Sequence, residues 1–194
     1  MVVEDSATAI RQTSLAQAGA SMRALQDVIT GTSAPSAELD HMATAMDAIT
    51  KRLTPYRRAI KGVHNFENYV DAAPAHTLTP EFEVLEQDAN SLRGRVRFGL
   101  FYRNAFGIAN GGAIALMFDT AMAYLGSTSD IPAYTASLQV DFRRGAPIDA
   151  DLTVLVRRGS TEGRKHELSA QLFEGDVLLS EASCLMVEPR DTGA

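Results

Sequence analysis

A chain of 194 residues, 45% hydrophobic and 22% charged, has the balance of an ordinary globular protein and the length for one domain with an extension. Its 18 Lys and Arg against 24 Asp and Glu leave a formal charge of −6, the wrong sign for a dedicated nucleic-acid binder. The single cysteine, Cys184, excludes an internal disulfide and a thiolate zinc site and fits a reducing compartment.

The first 54 residues carry no aromatic side chain. The opening Met-Val-Val-Glu-Asp lacks the basic start and apolar run of a secretory signal, so a soluble cytoplasmic protein is expected. Leu15, Ala18, Met22, Leu25 and Ile29 alternate in steps of three and four, one apolar stripe along a helix that Gly31 would stop. A second helix is predicted after Pro35, with Ser36 as N-cap, an apolar face of Leu39, Met42, Ala43, Met46, Ile49 and Leu53, and an end before Pro55. Residues 1–54 thus read as a helical hairpin whose seam of about two heptads is short for an independent coiled coil. Residues 55–80, with Pro55, Pro74 and Pro80 and no sustained period, read as a linker.

From Glu81 the pattern becomes one of strands. Glu81–Glu86 and Leu92–Phe98 flank the turn signal Asp88-Ala89-Asn90, and a long apolar helix is expected at about 110–126. Four further strands are predicted over Tyr134–Phe142, Leu152–Arg158, His166–Phe173 and Val177–Val187, with turns at Gly159–Gly163 and Glu174-Gly175-Asp176. Two strands, a helix and four strands, without repeated strand–helix alternation, define an α+β domain over 81–188 on a mainly antiparallel sheet, leaving 189–194 as a tail.

The helix beginning at Gly111 is apolar nearly all round, which predicts a central helix wrapped by the sheet, and Asp119 is its one charged residue. A carboxylate in that setting needs a hydrogen-bonding partner, and such groups are candidate nucleophiles or general bases; a quiet bond to a neighbouring hydroxyl is the plainer alternative. Asn110 is a good N-cap, and Gly111 and Gly112 leave the first helical N–H groups open to a carbonyl or an anion. Close helix–sheet packing also asks for glycine, so the pair alone does not decide. Tyr124 reads as a core or pocket-wall aromatic.

The segment Asn104-Ala105-Phe106-Gly107-Ile108-Ala109-Asn110-Gly111-Gly112, with Asp119 nine positions after Asn110, resembles the active-site segment of hotdog-fold acyl-CoA thioesterases, above all the PaaI-like group. The likeness covers about residues 80–188 and leaves 1–54 as a lineage-specific extension. It implies an antiparallel sheet wrapped around a central helix, a thioester hydrolase activity, and a homodimer or homotetramer with shared active sites. In its terms Asp119 is the carboxylate that attacks the thioester or activates water, and Gly111 supplies the backbone donor to the thioester oxygen. Asn104 also contacts that carbonyl in some members, and Thr135 helps hold the water, often from across a dimer interface. The family's usual His stands here as Asn110, which caps and hydrogen-bonds but shuttles no proton near neutral pH. No metal or redox cofactor is implied, only the coenzyme A of the substrate.

Coenzyme A phosphates favour basic side chains near a pocket mouth, and Arg143, Arg144, Arg157, Arg158, Arg164 and Lys165 fall at predicted strand ends. Arg143 and Arg164 are the leading candidates, with Asn110 and Gly112 as further substrate contacts; solvated edge charges are the alternative. His41, His64, His76 and His166 have no metal-ligand spacing, no Gly-x-Ser-x-Gly elbow, P-loop or dinucleotide fingerprint occurs, and Cys184 reads as a core thiol. Two rival functions remain: a non-catalytic acyl-CoA-binding or assembly module, and a hotdog hydratase, which needs a His that the sequence does not place near Asp119.

Overall fold

The computed structural model describes residues 2–56, 76–126 and 133–190, with side chains from Arg11 onward, and the chain divides into two compact units, Met1–His76 and Thr77–Ala194. His64 and most of the 55–80 segment lie outside the described residues, as do residues 191–194 of the tail.

The first unit holds α1, Val2–Gly31, and α2, Ser36–Leu53, followed by a 3₁₀ turn at Thr54–Tyr56. Pro35, not Ser36, occupies the N-cap of α2, and no side chain caps that end; Ser36 is the first helical residue. Proline suits the position because its fixed φ, here −58°, leads the chain directly into the helix. Nothing in α2 is buried.

The second unit is a six-stranded antiparallel sheet with one helix across it. Its strands are β1 (Glu81–Gln87), β2 (Ser91–Arg97), β3 (Tyr134–Phe142), β4 (Leu152–Glu162), β5 (Lys165–Glu174) and β6 (Val177–Val187), and its helix is α3 (Gly111–Gly126). The spatial order β1-β2-β4-β5-β6-β3 puts β3 at one edge, beside β6. Strict alternation sends Leu92 and Val96, Leu152, Val154 and Val156, Leu168, Ala170 and Leu172 to the inner face, and the register stacks them in rows such as Leu92 opposite Val156 and Val156 opposite Ala170. Against that face α3 lays Ile114, Met117, Phe118, Ala121, Met122 and Leu125, all at most 2% exposed. Each large side chain of this set contributes about 1.5–3 kcal/mol by leaving water.

One expected loop is corrected. Gly159–Gly163 is not a loop: β4 runs on to Glu162, and the turn is Gly163-Arg164, with Gly163 at φ 57°. A Cβ at Gly159 would lie 3.2 Å from the backbone oxygen and Cβ of Glu167, so that glycine serves a close strand approach. Tyr124 is 44% exposed with its ring 5.7 Å from that of Phe82, which sets aside the core half of its reading and leaves the pocket-wall half. The α3 helix itself is covered on one side only. Gly112, Leu116, Asp119 and Ala123, spaced by four, three and four residues, form a stripe of intermediate to full exposure.

Candidate active site

The start of α3 is fastened before any chemistry is asked of it. Asn104 folds its own loop: its side-chain oxygen accepts from the N–H groups of Phe106 (2.8 Å) and Ile108 (3.4 Å), and Gly107 turns the chain at φ 82°. Asn110 N–H then donates to the Tyr102 carbonyl at 2.7 Å, Ala109 N–H donates to the Ala146 carbonyl at 2.9 Å, and Ile108 bridges to Pro147. Asn110 caps the helix as its residue type predicts, its Oδ1 accepting from Gly112 N–H at 2.8 Å. Ala113 and Ile114 donate to the Asn110 carbonyl, and among the described residues the Gly111 N–H of the first turn has no hydrogen-bond partner. A Cβ on Gly111 would meet the Phe142 ring at 3.2 Å, a close contact that the half-exposed ring would have to ease.

Two turns along, Asp119 sits half-buried on the open stripe of α3, and its Oδ1 accepts the Thr135 hydroxyl at 2.8 Å. This contact depends on a break in β3. Leu138 pairs with the buried Cys184 and shares its inward face, so strict alternation would send Thr135 outward. A bulge between Thr135 and Ser137 inserts one residue, brings Thr135 opposite the inward-facing Met186, and turns its hydroxyl to the helix. The bond is made within one chain, where the sequence resemblance allowed for a Thr supplied across an interface. Cys184 lies under the pair: burial, then the Asp119 carboxylate, push its thiol above the ordinary range, with the Thr135 hydroxyl opposing.

Helix geometry separates the two ends of this machinery. Gly111 and Asp119 are eight residues apart, about 12 Å along one axis at 1.5 Å per residue. A reacting carbonyl must lie about 3 Å from both its oxyanion donor and its attacking group, so the Gly111 N–H and Asp119 of a single chain do not meet on one carbonyl.

The basic candidates are not brought together. The Arg143 N–H groups at Nε and Nη2 reach Glu181 Oε1 at 2.9 and 2.6 Å, with Asp141 at 3.7 Å, and these carboxylates hold its guanidinium pKa above the usual value. Arg164 Nη1 donates to the Glu188 carbonyl at 2.7 Å. The Arg143 backbone is bonded to Leu179 and Arg164 to Glu188, nine residues along the β6 direction and so about 30 Å away. Arg158, which sequence grouped with them, closes the other end of α3: its Nη2 donates to the Leu125 carbonyl at 2.9 Å. His166 is engaged at both ring nitrogens, with Thr161 at 3.2 Å and Glu188 at 2.7 Å, and among the described residues no histidine hydrogen-bonds to Asp119. Nor, among the described residues, does any group of three His, Cys, Asp or Glu side chains gather in a way that could hold a metal ion. No described helix is long and apolar enough to cross a membrane.

An antiparallel sheet carrying one long apolar helix, with a carboxylate–hydroxyl pair on the helix's open side, is the hotdog architecture. Residues 106–181 match the sequence profile of the Thioesterase superfamily. Among solved structures, the thioesterase superfamily protein RHA08564 superposes with a TM-score of 0.76 at 21% identity, covering 89% of this chain and 90% of that one. The smu.793 protein of Streptococcus mutans, solved with acetyl CoA, aligns at TM-score 0.54 and 13% identity over 56% of this chain and 89% of its own. A hypothetical thioesterase of Streptococcus pneumoniae, solved with coenzyme A, aligns at 0.54 and 12% over 56% and 86%. No curated protein sequence matches the chain. The second unit thus has the hotdog fold, and over residues 106–181 the likeness read from the Asn104–Asp119 segment is met by the Thioesterase superfamily profile.

Proposed function

We propose that this protein hydrolyses an acyl-CoA thioester to the free acid and coenzyme A, as a PaaI-like thioesterase. The observation that carries the reading is the Asp119–Thr135 hydrogen bond, placed on the one uncovered stripe of an otherwise apolar helix. The superfamily match of residues 106–181, and two structures of the same fold solved with acetyl CoA and coenzyme A, support the substrate class.

Thr135 occupies Oδ1 of Asp119 and thereby fixes the carboxylate plane, leaving Oδ2 to act. Asp119 then either takes a proton from water as the water attacks the thioester carbon, or attacks that carbon itself to give an anhydride that water opens. In both routes the C–S bond breaks and the sulfur leaves as the thiol after taking up a proton. The developing oxyanion is held by the Gly111 N–H, reinforced by the positive end of α3, with the Asn104 amide and Gly112 beside it. Because the two groups are about 12 Å apart on one helix, the productive pairing is Asp119 of one chain with the Gly111 N–H of a second copy. The exposed edge strand β3 and the open stripe with Leu116 and Ala123 are the surfaces that a homodimer, alone or within a homotetramer, would cover. Arg143 and Arg164 would then serve different parts of the assembly. No metal or redox cofactor enters this scheme, and a single buried thiol fits a cytoplasmic location.

The test is thiol release from a panel of short, aromatic and long acyl-CoAs. Release that Asp119→Ala abolishes, with the circular dichroism spectrum unchanged, is the expected result. Retained acyl-CoA binding without release would make the domain a binding module, and water addition to an enoyl-CoA would make it a hydratase.

A further inference from the structure

The α2 helix carries an apolar seam that is largely exposed. Leu39, Met46, Ile49 and Leu53 are 37%, 36%, 51% and 56% exposed, and with Met42 they repeat in steps of three, four, three and four. That is the spacing of a helix made to lie along another helix. Its flanking charges are polarised: Glu38 stands in the first turn, and Lys51 and Arg52 in the last.

We propose that α2 pairs antiparallel with the α2 helix of a second copy of this chain. Written as a heptad, the seam takes Leu39, Met46 and Leu53 at one core position and Met42 and Ile49 at the other, with Glu38, Ala45 and Arg52 along the same flank. An antiparallel partner sets Leu39 against Ile49 and Met42 against Met46. It brings Glu38 beside the partner's Arg52 at both ends, and Ala45 beside its own equivalent on the two-fold axis. The small alanine lets the two backbones approach there, and the helix dipoles run in opposite senses. A parallel pair would gather the two Glu38 carboxylates at one end and the basic turns at the other, with the dipoles aligned. Charge therefore chooses the orientation, and the repeat chooses the face. This inference concerns the first unit alone and stands whether or not the second unit is a thioesterase.

Two heptads make a weak pair, so the test traps it. In the full-length chain, Ala45→Cys is oxidised gently and run without reductant, with the wild-type chain as control because its Cys184 is only 4% exposed. The expected result is a disulfide-linked dimer from Ala45→Cys and far less from Met46→Cys, whose neighbour across the seam is Met42. Adding Glu38→Arg, which sets Arg against Arg52 twice, should lower the yield about five-fold, and adding Arg52→Glu as well should restore it. Circular dichroism confirms that each variant stays helical. More cross-linking from Met46→Cys than from Ala45→Cys would mean a parallel pair and overturn the proposal. So would no cross-linking from either, or a disulfide within one chain in a Met22→Cys/Met46→Cys variant, which would show α1 covering the seam.

Discussion

The α2 and α3 helices are close in length, 18 and 16 residues, and opposite in fate. The first has a regular apolar stripe and buries nothing; the second has hardly any polar residue and buries seven. A stripe states which side a helix would bury and leaves open what it buries against, because the partner can lie in another chain. An all-apolar helix carries more information: it forms only where a sheet is built to receive it, and any polar group it retains stands out. Hence Asp119 was conspicuous from composition, while the seam of α2 gave a face without an occupant.

The contrast is broken most forcefully inside α3. Phe118 is fully buried between helix and sheet, so Phe118→Ala should cost about 3–5 kcal/mol in urea unfolding of the intact chain. A loss below about 1 kcal/mol would show that the helix is held by something other than this packing. Next in size is a catalytic effect. Thr135→Ala removes the hydroxyl that orients Asp119, and kcat with the best acyl-CoA should fall about 10- to 100-fold while stability changes little. Thr135→Ser should recover most of the rate; recovery by valine instead would assign Thr135 to packing. Smaller again is the cap. Asn110→Ala takes the acceptor from Gly112 N–H and should cost about 1 kcal/mol, with Asn110→Asp nearly neutral in stability.

Much of the domain could be read from alternation because its inner face is purely apolar: Leu152, Val154 and Val156, or Leu168, Ala170 and Leu172, have one arrangement that buries them. The cap at Asn110 was legible for the same local reason, a short acceptor just before a helix. What escaped was irregular backbone. Thr135 was reached only through likeness to a family, since period-two counting places it on the wrong face and nothing in the residue string marks the bulge that corrects it. Gly159 misled in the opposite way: a glycine that permits close strand approach looks in sequence the same as one that makes a turn. The basic residues could be counted but not grouped, because Arg143 and Arg164 reach opposite ends of the sheet only once the strands are ordered.

The weakest expected effect bears hardest on α2. Ile49 is 51% exposed in the chain by itself, so Ile49→Ala removes little buried surface and replaces a β-branched residue by the best helix former. In dilute solution the two changes nearly cancel, and thermal unfolding should move by no more than about 0.5 kcal/mol. If the seam faces a second copy, Ile49 packs there and the cost should grow with protein concentration, because a bound partner stabilises by mass action. A variant–wild-type difference that stays flat over a hundred-fold range of concentration would mean that α2 meets solvent or its own chain, and the stripe would then report solubility and nothing about assembly.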